Sequence, residues 1–374
     1  MEVAYILSVE IIGAARYDTA KTNCSDVYPM RLIHSVFLPF LIAAVSVSFA
    51  SHADASLDTG LTHFDQLYQT ELGGVVSCQS QTESRHATCS SQLKNEGNAP
   101  FVLHHAHKTQ KVFVLFHGLS DSPFFLTTVA QAIHKQGHNV LVALLPGHGK
   151  KDADQDMQDP ELAARWRSNV QEMIALAPEF GEQLYLGGFS TGGALSAEYI
   201  LEHPGEVKGL LLFSGALALD SSVETMASIW GIKWLAKTLD GDYQSMGPNP
   251  FKYPSVARYS AFQLTDVIFS VRDLIKQQKP LDIAIFAAHS EADNTTPISG
   301  VEDLMAYNKG QNTLFLVDKK FDVCHADVVV NQAQIKQMNF DESQVTEILP
   351  CSIPSANPQH AEMLEAMSKF IRQY

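Results

Sequence analysis

The chain has 374 residues, of which 45% are hydrophobic, so it is long enough to bury one large core and an inserted cap. Its 26 basic and 41 acidic residues give a net charge of −15, which argues against binding to nucleic acid or to anionic membrane surfaces. No C-x-x-C pair is present, so the cysteine spacing does not suggest a zinc site.

An export signal is predicted near the N-terminus, at an unusual position. Met30 is followed by a basic residue, an apolar stretch over 32–50 and a group of small residues. These are the parts of a secretory signal peptide, so we predict one at 30–55 and an exported protein, periplasmic or secreted. Because this signal starts at Met30, we expect residues 1–29 to be an over-long gene prediction. A single membrane anchor over 32–50 is the alternative.

Four cysteines follow the predicted signal, and export favours disulfide bonds. Cys78 and Cys89 lie in a polar extension at 56–100, and Cys324 and Cys351 lie near the C-terminus. Four cysteines allow three pairings. We predict the local pairing, first cysteine with second and third with fourth, because each bond then closes a short loop. Four free thiols in a cytosolic protein are the alternative.

After the extension, apolar strand-like segments alternate with helical patterns. The strand at 111–116 runs into the His-Gly-Leu tripeptide at 117–119, and the strand at 139–145 runs into Pro-Gly-His-Gly at 146–149. This alternation predicts an α/β fold with a doubly wound, mostly parallel sheet. We expect His117 to be structural and hydrogen-bonded within its turn.

The apolar run at 183–187 leads into the pentapeptide G-F-S-T-G at 188–192, and a helical pattern follows. A strand that ends in G-x-S-x-G before a helix is the sequence form of a nucleophile elbow. Its glycines let the backbone cross closely, and the helix N-terminus favours negative charge beside the serine oxygen. Ser190 is therefore the predicted nucleophile, and a glycine-rich turn with an ordinary serine is the alternative.

A serine hydroxyl needs a base to activate it, and the base needs an acid to orient it. The strand-like segment at 281–288 is followed by Glu291 and Asp293. Open α/β sheets place functional groups just past the carboxyl ends of strands. We predict Asp293 as the acid, with Glu291 as the second candidate and a capping role in a turn as the structural alternative.

The base is predicted one strand later. The segment at 312–317 reads as a strand, and His325 follows it, so acid and base would lie at neighbouring strand ends. His360 competes for this role, but it precedes an amphipathic helical pattern at 362–372. The oxyanion is expected to be bound by the backbone N–H groups of Leu119 and Thr191.

Five motifs together resemble the α/β-hydrolase superfamily over about residues 100 to 374. They are F-H-G-L at 116–119, P-G-H-G at 146–149, G-F-S-T-G-G at 188–193, S-E-A-D at 290–293 and C-H at 324–325. The pattern is similar to the carboxylesterase and monoacylglycerol-lipase-like branch, which also contains serine aminopeptidase-type members. The resemblance implies that Ser190, Asp293 and His325 form the triad. The chain departs from the branch in the cysteine before His325 and in a long segment at 329–359.

The resemblance implies a hydrolase domain at 101–374, with a helical cap at about 216–279 inserted before the acid-bearing strand. Apolar residues of the cap are expected to cover Ser190 and to line an acyl pocket. We expect a serine hydrolase that cleaves carboxylic esters, either acyl esters or small lipids, through an acyl-enzyme. No metal, organic cofactor, nucleic acid or stable membrane insertion after signal cleavage is expected.

Two kinds of alternative remain open. A peptidase, a lysophospholipase or an acyltransferase would use the same triad, because a fold does not fix a substrate. A non-catalytic binding protein on the hydrolase scaffold is the alternative from a different class.

Overall fold

The computed structural model of the chain describes residues 55–218, 237–238, 241–277, 281–345 and 350–374. The residues predicted to precede the true start of the protein, at 1–29, lie outside this part of the chain. The predicted signal peptide at 30–55 also lies outside it, apart from its last residue. Within the described ranges, no helix combines the length and the apolar character needed to cross a membrane.

Within the described part of the chain, a sheet of nine strands lies at the centre of the fold. The strands are β1 (Val76–Ser77), β2 (Arg85–Cys89), β3 (Phe101–Leu103), β4 (Thr109–Phe116), β5 (Asn139–Ala143), β6 (Gly181–Phe189), β7 (Gly209–Phe213), β8 (Ala284–Ser290) and β9 (Asn312–Val317). Their order is β1-β2-β3-β5-β4-β6-β7-β8-β9. The neighbouring pairs β1–β2, β2–β3 and β3–β5 are antiparallel, and every pair from β5–β4 to β8–β9 is parallel. The predicted mostly parallel sheet is confirmed.

Helices flank this sheet. They are α1 (Ala55–Glu71), α2 (Thr127–His134), α3 (Asp154–Met157), α4 (Leu162–Phe180), α5 (Thr191–Glu202), α6 (Arg258–Gln277), α7 (Ser299–Tyr307), α8 (Gln332–Met338) and α9 (His360–Gln373). Helix α5, which follows Ser190, is buried on nearly all sides, whereas α9 buries one apolar stripe. In α9 the buried residues include Met363, Met367 and Phe370, which have the spacing of one helical face. The helical pattern predicted at 362–372 is this helix, which begins two residues earlier.

The N-terminal extension is more than a polar decoration of the core. Helix α1 packs against α4 and completely buries Phe64 and Tyr68. The hydroxyl of Tyr68 accepts a hydrogen bond from the N–H of Leu144 at 3.0 Å. Glu71, the last residue of α1, binds Lys150 through a 2.6 Å ion pair. Because Lys150 directly follows the Pro-Gly-His-Gly turn, α1 holds that turn from outside.

Only part of the predicted cap at 216–279 lies within the described residues. The segment at 219–236, which carries Trp230 and Trp234, falls outside them, so the cap itself stays a prediction. Helix α6, the second half of the insert, packs its apolar stripe against α5 and α4. This half of the insert therefore belongs to the layer of helices beside the sheet.

Both predicted disulfides are confirmed. Cys78 bonds Cys89 and closes the β1–β2 hairpin, while Cys324 bonds Cys351. The second bond ties Cys351, in the long segment at 329–359, to the loop that follows β9. Cys324 lies directly before His325, so this bond fixes the backbone beside the predicted base.

Candidate active site

The turn after β6 holds Ser190 in a strained conformation. Ser190 has φ +51° and ψ −113°, a region that residues with a Cβ rarely adopt. A Cβ on Gly192 would lie 1.9 Å from the carbonyl oxygen of Phe116, and one on Gly188 would lie 2.4 Å from the carbonyl carbon of Gly192. The turn therefore closes only with glycine at both positions, as the elbow motif predicts.

Three predicted side chains meet at the carboxyl end of the sheet. The hydroxyl of Ser190 follows β6 and lies 2.9 Å from Nε2 of His325. Nδ1 of His325 lies 2.6 Å from Oδ2 of Asp293, which follows β8. With the carboxylate accepting from Nδ1–H, the lone pair of Nε2 faces the serine and accepts its proton. The arrangement can therefore pull a proton from the serine hydroxyl.

Asp293 is held as a carboxylate. Its side chain is fully buried, and Oδ1 accepts hydrogen bonds from the N–H groups of Thr295 at 2.8 Å and Thr296 at 3.1 Å. Burial raises the pKa of Asp293, but the hydrogen bond and charge of His325 and the Thr296 N–H outweigh it. The net pKa lies below its ordinary value. A charged Asp293 can therefore orient the imidazole and stabilise its protonated form.

The two competing residues have other partners. Glu291 is exposed, and its Oε2 accepts a hydrogen bond from the backbone N–H of Lys319 at 2.9 Å. His360 is the first residue of α9, and its Nε2 lies 3.1 Å from the hydroxyl of Thr128. Neither side chain has a hydrogen bond to Ser190 or to His325 within the described part of the chain.

His117 is buried in the turn after β4. Its Nδ1–H donates to the carbonyl of Gly118 at 2.8 Å, and its Nε2 accepts from the N–H of Leu145 at 3.1 Å. Burial, with the nearby ring of His148 acting in the same direction, moves the pKa of His117 well below its usual value. A neutral ring fits both hydrogen bonds, so His117 ties the end of β4 to the end of β5, as predicted.

The loop that carries Leu119 is anchored on both sides. Asp121 donates its N–H to the carbonyl of Gly118 at 3.2 Å, and its buried carboxylate forms a 2.7 Å ion pair with Lys252. The N–H of Tyr253 donates to the carbonyl of Ser120 at 2.8 Å. The second predicted donor, Thr191, is the first residue of α5. Backbone N–H groups in the first turn of a helix have no acceptor within that helix.

Known proteins resemble this chain in sequence and in fold. A family model described as serine aminopeptidase, S33 (Hydrolase_4), matches residues 107–263. A thermostable monoacylglycerol lipase from Bacillus sp. (strain H-257) is 22% identical over 151 residues, which cover 40% of this chain and 59% of that protein. The alignment therefore spans about three fifths of the curated relative.

Solved structures share the fold at low identity. A structure from work on LipS and LipT, two metagenome-derived lipolytic enzymes, superposes with a TM-score of 0.55 at 16% identity, over 74% of this chain and 98% of that chain. A monoacylglycerol lipase from Paleococcus ferrophilus gives a TM-score of 0.48 at 16% identity, over 71% and 96% of the two chains. The protein has the α/β-hydrolase fold.

The last part of the long segment at 329–359 folds back onto the loop of His325. The N–H of Asn357 donates to the carbonyl of Val330 at 2.9 Å, and its side-chain amide donates to the carbonyl of Val328 at 2.9 Å. Together with the Cys324–Cys351 bond, these contacts explain how the departure from the family's usual length leaves His325 in reach of Ser190.

Three groups beside the candidate site were not predicted from the sequence. Asp327 is 3% exposed, and its Oδ2 accepts from the N–H and the hydroxyl of Ser355 at 3.1 and 2.8 Å. Burial raises the pKa of Asp327 to about 6. Lys252, which holds the loop of Leu119, and Thr296, which contacts the acid, were also missed. Asp327 lies two residues after the predicted base and Thr296 three residues after the predicted acid, and this closeness is the signal that could have indicated these two. Lys252 has no such signal in the sequence.

Proposed function

We propose that the protein is an exported serine hydrolase that cleaves carboxylic esters. The observation that carries this proposal is the continuous relay of Ser190, His325 and Asp293, with distances of 2.9 and 2.6 Å between the bonded atoms. Such a relay is the arrangement by which a weakly nucleophilic serine becomes reactive at neutral pH.

In the acylation step, Oγ of Ser190 attacks the ester carbonyl carbon while Nε2 of His325 takes the hydroxyl proton. Asp293 stabilises the imidazolium that forms. The N–H groups of Leu119 and Thr191 are assigned to the negatively charged oxygen of the tetrahedral intermediate. The intermediate then collapses, the bond to the leaving alcohol breaks, and the alcohol oxygen receives the proton from Nε2.

Deacylation repeats this sequence with water. His325 takes a proton from a water molecule as the water oxygen attacks the acyl carbon bound to Ser190. The bond to Oγ breaks, Ser190 recovers its proton from the imidazolium, and the carboxylic acid leaves. No metal or organic cofactor takes part in either half of the proposed cycle.

Acyl esters or small lipids are the proposed substrates. The curated relative is named a monoacylglycerol lipase. The sequence between β7 and α6, where the cap is predicted, also contains many apolar residues. Pockets for such ligands are mostly apolar with a few polar groups. Export is supported by the two disulfides, because such bonds persist in oxidising compartments.

The test uses purified residues 56–374, a Ser190→Ala variant and a Ser260→Ala control. Ser260 is also buried, but its hydroxyl donates to the carbonyl of Ala257 at the start of α6, away from His325. We expect wild type and the control to hydrolyse p-nitrophenyl esters, with a rate that depends on acyl length, and Ser190→Ala to be folded but inactive. Ester hydrolysis retained in Ser190→Ala would refute the assignment.

A peptidase is the second candidate, because the matching family model is described as a serine aminopeptidase. Aminoacyl p-nitroanilides separate it from an esterase. We expect their turnover to be far below that of the p-nitrophenyl esters. Faster release from the anilides, dependent on Ser190, would replace the esterase proposal by the peptidase. A folded wild type that a fluorophosphonate probe does not label would instead favour a binding protein.

A further inference from the structure

The hydroxyl of Thr296 lies in the middle of the proposed relay. Its Oγ1 is 3.2 Å from Oδ2 of Asp293, 3.1 Å from Nδ1 of His325 and 3.4 Å from the carbonyl oxygen of Ser214. Thr296 is 2% exposed, so this hydroxyl exchanges no hydrogen bonds with bulk water. A buried polar group in such a position is costly unless its hydrogen bonds are made inside the protein.

The chemistry of the three neighbours fixes what this hydroxyl can do. Nδ1 of His325 carries the proton that Asp293 accepts, so Nδ1 has no lone pair left for Thr296. The hydroxyl must therefore donate its proton to an oxygen, either Oδ2 of Asp293 or the carbonyl of Ser214. One of its lone pairs then faces the Nδ1–H group. The Nδ1–H group of His325 therefore has two acceptors within reach, Oδ2 of Asp293 and Oγ1 of Thr296.

The backbone of Thr296 is fixed from both sides, which prevents the hydroxyl from leaving this position. Its N–H donates to Oδ1 of Asp293 at 3.1 Å, and its carbonyl accepts from Nε2–H of His289 at 2.9 Å. Burial lowers the pKa of His289, which lies at the end of β8 and stays neutral. A β-branched side chain such as threonine also has few accessible rotamers.

We infer that Thr296 is a positioning residue, whose hydroxyl holds the carboxylate of Asp293 and the Nδ1–H tautomer of His325 in the orientation that directs Nε2 at Ser190. The inference rests on the proposed function. Loss of the hydroxyl leaves Oδ2 of Asp293 without one of its neighbours and lets the imidazole turn. A smaller fraction of molecules then has the lone pair of Nε2 directed at the serine.

The effect should appear in the chemical step and not in substrate binding. Thr296 is buried behind the acid, so the variant should change kcat and leave KM nearly unaltered. Thr296→Val keeps the shape of the side chain and removes the hydroxyl, and Thr296→Ser keeps the hydroxyl and removes a methyl group. Thr265→Val is the matched control, since Thr265 is 1% exposed and its hydroxyl donates to the carbonyl of Phe262 within α6.

The readouts are kcat and KM for a p-nitrophenyl ester and the rate at which a fluorophosphonate labels Ser190. We expect Thr296→Val to lower kcat and the labelling rate at least about tenfold, equivalent to about 1.4 kcal/mol, with KM within about twofold. Thr296→Ser and Thr265→Val should stay close to wild type. If Thr296→Val does not fold, Thr296→Ala takes its place in the comparison.

The outcomes separate this inference from the function on which it rests. A wild-type protein that is neither labelled nor active would refute the proposed serine hydrolase. A labelled, active wild type with Thr296→Val at the same kcat and labelling rate would refute only the role of Thr296. Thr296→Ser as impaired as Thr296→Val would also overturn it, because the hydroxyl would then not be the group that matters.

Discussion

The disulfide between Cys324 and Cys351 should stabilise the fold and, independently, support catalysis. It closes a loop with a sequence separation of 27 residues. The chain-entropy relation gives about 3.5 kcal/mol of stabilisation for a loop of this length. With roughly 2 cal/mol/K of unfolding entropy per residue and about 300 residues, removing the bond should lower Tm by roughly 6 °C.

The second disulfide provides a matched control. Cys78–Cys89 closes a loop with a separation of 11 residues, for which the same relation gives about 2.8 kcal/mol. This bond lies in the β1–β2 hairpin and touches none of the proposed catalytic groups. Cys324, in contrast, is bonded through its backbone to His325. Both double serine variants should therefore lose stability, but only Cys324→Ser/Cys351→Ser should lose kcat.

Thermal unfolding by circular dichroism and ester turnover at a temperature well below both midpoints measure the two effects separately. We expect turnover of the Cys78→Ser/Cys89→Ser variant to match that of wild type. An unchanged Tm in Cys324→Ser/Cys351→Ser would refute the stabilisation. An equal loss of kcat in the two variants would refute the special role of the bond beside His325.

Three further predictions concern residues around the site. The pKa of Asp327 is about 6 in the folded protein, so the folded protein binds this proton more tightly than the unfolded chain does. The stability due to the proton is therefore lost as pH rises from about 4 through 6. Asp327→Asn should raise Tm at pH 7 to 8 and not at pH 4, which thermal melts across pH would show. Gly192→Ala should yield little folded protein, because its Cβ would lie 1.9 Å from the carbonyl oxygen of Phe116; a soluble, active variant in a gel-filtration and turnover assay would contradict the elbow geometry. Phe251→Ala should cost about 3–5 kcal/mol in denaturant unfolding, because Phe251 is buried and stacks on Phe124 with ring centroids 3.8 Å apart. A loss below about 1 kcal/mol would mean that this stack contributes little to the stability of the fold.

The parts of the site that the sequence could predict are those in which the chemistry follows directly on a strand. The segment read as a strand at 312–317 is β9, and His325 follows it. Ser190 and Asp293 likewise follow the ends of β6 and β8. Since parallel strands bring their carboxyl ends to one edge of the sheet, three motifs separated in sequence had to meet there.

The parts that could not be predicted depend on where the chain returns. Lys252 reaches Asp121 from more than a hundred residues away, and Ser355 reaches Asp327 where the chain returns after the Cys324–Cys351 bond. Periodicity carries no information about such contacts. The direction of the Thr296 hydroxyl also depends on the loop geometry after β8 and not on the residue type.

The docking of helix α1 on the core was also not predicted from the sequence. Its sequence, from Ala55 to Glu71, is mostly polar and belongs to the region that the sequence indicates only as a polar extension. Phe64 and Tyr68 have the spacing of one helical face and are completely buried, and these two aromatic rings lie 5.3 Å apart. A narrow apolar stripe on a mostly polar helix is enough to dock it when the stripe is aromatic.

The most direct test of the central claim is to locate the adduct of a fluorophosphonate probe by mass spectrometry. We predict one adduct per chain, on Ser190, and no adduct in His325→Ala, because the imidazole is what makes the hydroxyl reactive. An adduct on a different serine, or labelling of Ser190 that persists unchanged in His325→Ala, would contradict the proposed relay.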